Sequence, residues 1–407
     1  MIQNVRGTRD LLPDQTKGWQ FLEQLFASVA ERFGYAEIRT PIFELTEVFT
    51  RTIGENTDVV SKEMYTFTDR GDNSITLRPE MTAGAVRAAV QHNLTATGQL
   101  QRLWYIGAQF RYERPQAGRY RQFYQCGAEC YNTPYPEADA EMIMFAATVL
   151  EECGIKDYTL KINTLGSQEC RQQYITALTE YLEQKKEELS ADSRTRLTKN
   201  PLRILDSKDR GDIAILKDAP ILADFLNEES KEHFDKVLKL LENNGFSYYI
   251  DTKLVRGLDY YSHTVFEFAS NAIGSQDALG GGGRYNTMFE YFGGKSTPSV
   301  GFSLGMDRMI LVLQQLRPEI FSQTIVDCYI VALDRTVGEF VQSLAMNMRK
   351  EGKKVITDLQ YRSLKAQMRE ANKIGAKTVT VIGEEEMKTG IYKVKNMENG
   401  TEHVISS

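Results

Sequence analysis

Between positions 15 and 34, Trp19, Leu22, Phe26, Val29 and Phe33 recur at steps of three and four. That spacing places them on one face of a helix. Gly34 ends the pattern. A strand is expected over 36–40. Pro41 behind it has no N–H to donate, which keeps that end off a central ladder position. Alternation on both sides of Arg70-Gly71-Asp72-Asn73 predicts a β-hairpin over 62–78. Pro79, tolerated in a first helical turn, is expected to open a helix running to about His92. Residues 101–131 alternate strongly and predict two strands joined by a polar loop, 113–121. Residues 137–153 predict a further apolar-faced helix.

From about 168 to 250 the chain is charged, leucine-spaced and helical in pattern, an insertion between two halves of a β-rich domain. Strands are expected again near 252–255 and 264–268. The run Gly280 to Gly283 is expected to mark a close backbone turn, and a helix over 307–316 closes the domain. Residues 317–324, with Pro318, have the composition of a linker. From Val326 the pattern is strand, helix, strand, helix, strand and two short β segments, a small α/β domain. The expected fold class is therefore α+β: an antiparallel domain over 1–322 with a helical insertion at about 168–250, and an α/β domain over 326–407.

A length of 407 residues is enough for two or three domains with at least one large core. The 20 Tyr and 19 Phe argue against disorder. With a net charge of −6, any nucleic-acid site must be a local basic patch on an acidic body. Five cysteines, odd in number and without a C-x-x-C pair, argue against disulfides and suit a reducing, cytoplasmic setting. The four histidines lie far apart, so no structural zinc site and no metal held by protein side chains alone is expected. The charged start is no signal peptide. The longest apolar run, near 142–150, is too short to span a bilayer, so no membrane association is expected.

Candidate chemistry begins with Arg111, Gln125 and Glu129. Gln125 and Glu129 share a strand face with Gly127 between them, leaving room for a ligand, and Arg111 ends the partner strand. A cation for phosphate beside an amide and a carboxylate suits an amino acid next to a nucleotide. A solvated sheet face explains the same pattern, and this segment alone leaves both open. Gly301, Ser303 and Gly305 make a flat strand floor before a helix whose first turn carries Arg308. A packed strand-to-helix turn is the alternative there.

Three segments decide between these readings. Phe110-Arg111-Tyr112-Glu113, with its loop and Phe123, resembles motif 2 of the class II aminoacyl-tRNA synthetases. Val300 to Arg308 resembles motif 3. Leu254 to Tyr261, containing Arg256-Gly257-Leu258-Asp259-Tyr260-Tyr261, resembles the signature of the histidyl-tRNA synthetase family. Leu77 to Thr82, Ala278 to Tyr285, and Arg6-Gly7-Thr8-Arg9-Asp10 with Pro13 also fit that family, and the helix–strand–Pro41 stretch resembles motif 1. The resemblance covers nearly the whole chain, in the family's order.

The resemblance implies a class II catalytic sheet domain and a C-terminal anticodon-binding domain. It implies activation of histidine with ATP and Mg²⁺, transfer to histidine tRNA, and a homodimer built on motif 1. Arg111 and Arg256 would hold the α-phosphate from opposite sides as the catalytic pair. Glu113, Phe123, Gly305 and Arg308 would bind the rest of ATP. Glu80, Thr82 and Gln125 would receive the amino acid's ammonium end. Glu129, Tyr260 and Tyr261 would line the histidine pocket, and Arg119 and Arg121 would approach the tRNA acceptor end. Three positions depart from the family's habit. Asp307 stands where Glu is commoner, Asn286 where Asp is usual, and His263, expected at the pocket rim, where a basic residue is frequent. A non-catalytic paralogue, such as the regulatory subunit of ATP phosphoribosyltransferase, is the rival reading. Such proteins typically lack the Arg256–Tyr261 signature and the anticodon domain. In the C-terminal domain Arg362, Lys365, Arg369 and Lys373 fall on one helix face, a stripe suited to phosphate contact or to plain solvation. Gly293-Gly294-Lys295-Ser296 lacks the first glycine and the strand context of a phosphate loop.

Overall fold

The computed structural model describes residues 1–54, 57–96, 98–273, 278–322 and 326–406. These form two compact units, Met1–Ile320 and Phe321–Ser407.

The first unit opens with α1 (Thr16–Arg32), whose predicted apolar face is buried, followed by a two-residue strand β1 (Ala36–Glu37). Next come β2 (Phe43–Leu45), α2 (Glu47–Ile53), β3 (Tyr65–Thr68) and β4 (Ser74–Leu77). The hairpin β3–β4 turns at the expected residues, and with β2 makes a small three-stranded sheet. α3 (Thr82–Gln91) starts three residues after Pro79 rather than at it. The Glu80 carboxylate explains the delay, since it accepts the N–H groups of Thr82 (2.6 Å) and Ala83 (2.8 Å) and so caps the helix.

β5 (Gln101–Phe110) and β6 (Gln122–Tyr131) pair along their full length, and α4 (Pro136–Cys153) and β7 (Thr159–Thr164) follow. The insertion holds α5 (Gln168–Glu183), α6 (Ala191–Lys199), α7 (Arg210–Ile215) and α8 (Glu228–Asn243). β8 (Tyr249–Ile250) returns the chain to the sheet. The strand expected at 252–255 is absent: those residues turn, and Asp251 Oδ1 accepts the Lys253 N–H. β9 (Ser262–Ala269), β10 (Ala278–Arg284), β11 (Ser299–Gly305) and α9 (Met306–Leu316) complete the unit. The four glycines thus lie inside β10 and form no turn.

The large sheet has eight strands in the order β1-β5-β6-β11-β10-β9-β7-β8. Successive side chains alternate between its faces. Trp104, Ala128 and Phe302 occupy one register row and face the helices. Phe26 of α1 sits 5.9 Å from Trp104 and 5.6 Å from Phe145 of α4, centroid to centroid. The next row is Tyr105, Gly127, Ser303, Gly281 and Glu267, on the opposite face. That face carries the candidate site. Below α4 a buried ion pair joins two layers: the Arg284 guanidinium donates to Asp139, and both residues are almost wholly shielded. Arg284 also donates to the carbonyls of Thr133 and Tyr135.

The second unit holds β12 (Val326–Ala332), α10 (Gly338–Lys350), β13 (Val355–Thr357), α11 (Leu364–Lys373), β14 (Ala376–Ile382), α12 (Glu384–Thr389), β15 (Ile391–Asn396) and β16 (Glu402–Ser406). Its five-stranded sheet runs β13-β12-β14-β15-β16, parallel at the first three strands and antiparallel beyond. The expected α/β pattern is present with one extra short helix. Of the expected linker 317–324, residues 318–321 form a 3₁₀ turn, and its last two positions lie outside the described residues.

Candidate active site

A cavity of about 510 Å³ opens on the exposed face of the large sheet, lined at once by Arg111, Arg119, Arg256 and Arg308. Its floor is made of small residues. β6 places Gln125 opposite Gly305 and Gly127 opposite Ser303. A Cβ at Gly127 would stand 2.5 Å from the Phe302 carbonyl and 2.7 Å from the Tyr105 ring. At Gly281 a Cβ would stand 3.0 Å from the Arg256 guanidinium, and at Gly283 2.9 Å from the Tyr261 ring. The glycines of β10 therefore clear space for side chains and a ligand over a flat sheet.

One end of the cavity is cationic. Arg111 donates from Nε to the Pro79 carbonyl (2.9 Å), and its guanidinium lies 5.4 Å from the Phe123 ring centroid. Arg256 pairs with Glu267 at 2.7 Å, and Arg119 pairs with Glu113 at 2.5 Å. Arg308 donates from Nε to the Gly118 carbonyl (3.4 Å) and also to the Ala278 carbonyl. Burial, together with the neighbouring Arg119, lowers the Arg308 guanidinium below its usual range. Such crowded cations favour an anionic guest. Gly305 lies on the floor and Phe123 on the wall.

The other end is acidic and aromatic. Glu129, on the same face of β6 as Gln125, is buried, its carboxyl group accepting from the hydroxyls of Tyr105 (2.7 Å) and Tyr285. Burial pushes its carboxyl up to about 8, against the two tyrosine donors, which act to lower it. Tyr105 also meets Ser303 Oγ (3.3 Å) and Thr82 Oγ1 (3.4 Å). Tyr260 packs between Tyr261 (4.5 Å) and Tyr285 (5.6 Å). Glu80, Thr82 and Gln125 line the cavity, although both Glu80 oxygens already cap α3.

Most residues singled out from sequence thus meet in one cavity, with three corrections. Glu129 does not itself line it: the residue is buried, held by the hydroxyls of Tyr105 and Tyr285, and only Tyr285 reaches the cavity wall. Arg121 does not line it: its guanidinium stacks 3.7 Å over the Tyr112 ring and donates to the carbonyls of Glu113 and Arg6. His263 is not on the rim either. At φ +47° its ring sits 5.4 Å from that of His233, beside the Asp139–Arg284 pair. Burial lowers it to about 4, so it is neutral at pH 7. Asn286 has a buried Oδ1 without a hydrogen-bond partner. Two site residues went unassigned from sequence, Tyr105 and Tyr285. Their only sequence signal is placement on the alternating strand face shared with Glu129 and at the end of the glycine run.

A largely antiparallel sheet floored with glycine, with arginines at one end and a tyrosine-held carboxyl at the other, has the build of a class II aminoacyl-tRNA synthetase. Residues 7–309 match the family model described as histidyl-tRNA synthetase, and residues 327–406 match an anticodon-binding domain. The apo histidyl-tRNA synthetase of S. aureus is 37% identical, aligned over 100% of this chain and 97% of that one, with a TM-score of 0.84. This chain belongs to the histidyl-tRNA synthetase family. The fold is shared further: a histidyl-tRNA synthetase from a Nostoc species is 20% identical at a TM-score of 0.69, covering 100% of this chain and 97% of that one. A Bacillus halodurans chain described as ATP phosphoribosyltransferase regulatory subunit/histidyl-tRNA synthetase is 22% identical at 0.66, covering 91% of this chain and 96% of that one. No helix among the described residues is long and apolar enough to cross a membrane.

Proposed function

We propose that this chain is a histidine–tRNA ligase, which forms histidyl-adenylate from histidine and ATP and passes the histidyl group to the 3′ end of histidine tRNA. The observation that carries the reading is that Arg111 and Arg256 line one cavity with Tyr260, Tyr261 and Tyr285, and that Tyr285 donates to the buried Glu129 behind it. In this proposal the two guanidiniums flank the ATP α-phosphate and stabilise the charge that builds as the histidine carboxylate attacks and pyrophosphate leaves. Phe123 and Gly305 enclose adenine, and Glu113 faces its edge. Arg308 takes the γ-phosphate, and Arg119 meets the acceptor end. Gln125, Thr82 and Glu80 receive the ammonium group. Glu129, with Tyr260 and Tyr261, pairs the imidazole, and a site that binds a ring N–H rejects analogues lacking it.

Mg²⁺ fits as a companion of the triphosphate. Glu113 and Glu267 each already face an arginine, and no cluster of three metal-binding side chains occurs among the described residues. Phosphate oxygens and water would supply most of its shell, and the ion would neutralise phosphate charge. A homodimer is part of the proposal; exposed Phe43, Leu45 and Phe67 on the small sheet offer it an apolar face. The anticodon-binding domain and the four arginines favour the ligase over a regulatory subunit, which needs neither.

The test is ATP–pyrophosphate exchange dependent on histidine. Exchange is expected with histidine alone among the amino acids, and Arg256→Ala is expected to lower it at least a hundredfold, the scale of losing one charge stabiliser. Exchange with another amino acid instead, or an unimpaired variant, refutes the reading.

A further inference from the structure

Residues 5–10 carry no helix, yet they run across the loop 111–121 and are fastened to it. The Arg121 N–H donates to the Gly7 carbonyl (2.7 Å). Gly7 has φ +88°, and a Cβ there would lie 2.8 Å from the Arg121 side chain and 2.9 Å from Pro115. Arg9 completes the strap. Its guanidinium donates to Asp307 Oδ1 (2.6 Å) and to the Tyr120 hydroxyl (3.0 Å), with its carbon 4.1 Å over the Tyr120 ring. The second Asp307 oxygen accepts the Tyr124 N–H at 2.8 Å. One buried carboxylate therefore joins three pieces of chain: the 5–10 segment, the start of β6 and the first turn of α9. Tyr120, Tyr124 and Asp307 line the active cavity; Arg9 does not. Arg308, next to Asp307, closes the circuit through the Gly118 carbonyl.

We infer that Arg9 is a positioning residue for the ATP end of the cavity, bolting the loop 111–121 to α9 so that Arg119 and Arg308 face one anion. This rests on the ligase reading for what the anion is. The geometry requires arginine, since one planar fork reaches a carboxylate and a hydroxyl while lying flat on a ring. A lysine at the same place supplies a point charge and cannot span both acceptors. The imidazole end is held by Tyr105, Tyr285 and Glu129, none of which touches the strap, so its affinity is independent of Arg9.

The experiment measures exchange in the full chain with ATP and histidine varied separately, for wild type, Arg9→Ala, Arg9→Lys and Tyr120→Phe. The exposed Ile2→Ser serves as a neutral control. Arg9→Ala is expected to raise KM for ATP about tenfold, the usual cost of a lost charge-assisted bond. KM for histidine should stay within about twofold, Arg9→Lys should recover part of the loss, and Tyr120→Phe should show a smaller ATP-only effect. An unchanged KM for ATP, or parallel rises for both substrates, overturns the inference. Should Arg9→Ala fold poorly, Tyr120→Phe, which removes one hydroxyl, decides alone. If the wild type shows no exchange, the ligase reading fails; ATP affinity by calorimetry on the same variants then decides the role of Arg9.

Discussion

Replacing Glu129 by Gln should make the protein more stable at alkaline pH while weakening its hold on histidine. The Glu129 carboxyl lies in a fully buried place and is pushed from an ordinary 4.5 up to about 8. A carboxyl held that high stabilises the fold fully only below its unfolded value. As pH rises through the folded value, the unfolded chain has already released the proton that the native one keeps, and stability falls. Between pH 5 and 8.5 the linkage amounts to about 4 kcal/mol lost by the wild type from this group alone. Tyr105 and Tyr285 have their hydroxyls pushed well above the usual range, so they stay protonated throughout and add nothing to the slope. Glutamine keeps the shape and one acceptor, at a cost of about 1 kcal/mol for imperfect pairing with the two hydroxyls. That cost does not vary with pH.

Urea unfolding followed by tryptophan fluorescence is the suitable assay. Both tryptophans, Trp19 and Trp104, are buried in the catalytic unit, so the signal reports that unit alone. Wild type should be the more stable protein near pH 5 and the less stable one at pH 8.5. Stability–pH curves that run parallel, with a difference constant to about 1 kcal/mol, would falsify the claim that burial holds this carboxyl neutral.

Two further outcomes follow from the same chemistry. If one proton is shared between Glu129 and bound imidazole, KM for histidine should be flat from about pH 6.5, the usual imidazole value, to about 8. It should rise about tenfold per pH unit on either side, and Glu129→Gln should lose the upper break; a wild-type profile without that break refutes the shared proton. Asp139→Ala leaves the Arg284 guanidinium buried without its partner and should cost about 3–5 kcal/mol in the same unfolding assay, where a loss under 1 kcal/mol would contradict the pairing.

What the sequence disclosed of this site follows from which contacts are local. Gln125 and Glu129 share a face because a strand alternates, and β6 is a regular strand, so the prediction of an amide and a carboxyl over a glycine gap was available from ten residues. Tyr105 belongs to β5 and Tyr285 directly follows β10, and the pairing that brings them to Glu129 is a property of the assembled sheet. The glycines 280–283 were misjudged because glycine's freedom suggests a turn. Here its use is the absence of a Cβ, since Arg256 and Tyr261 occupy the space above Gly281 and Gly283. The family resemblance puts His263 at the pocket rim, and the structure does not. The positive φ at that residue swings its ring away, to stand beside that of His233 in the insertion. The same insertion shapes the signature loop directly: Arg171 of α5 donates to the carbonyls of Asp259 (3.0 Å) and Tyr261 (3.2 Å). Residues 251–261 form neither strand nor helix. Their conformation is therefore imposed from outside, by partners far away in sequence, and a motif that names the right residues still leaves their arrangement to the rest of the chain.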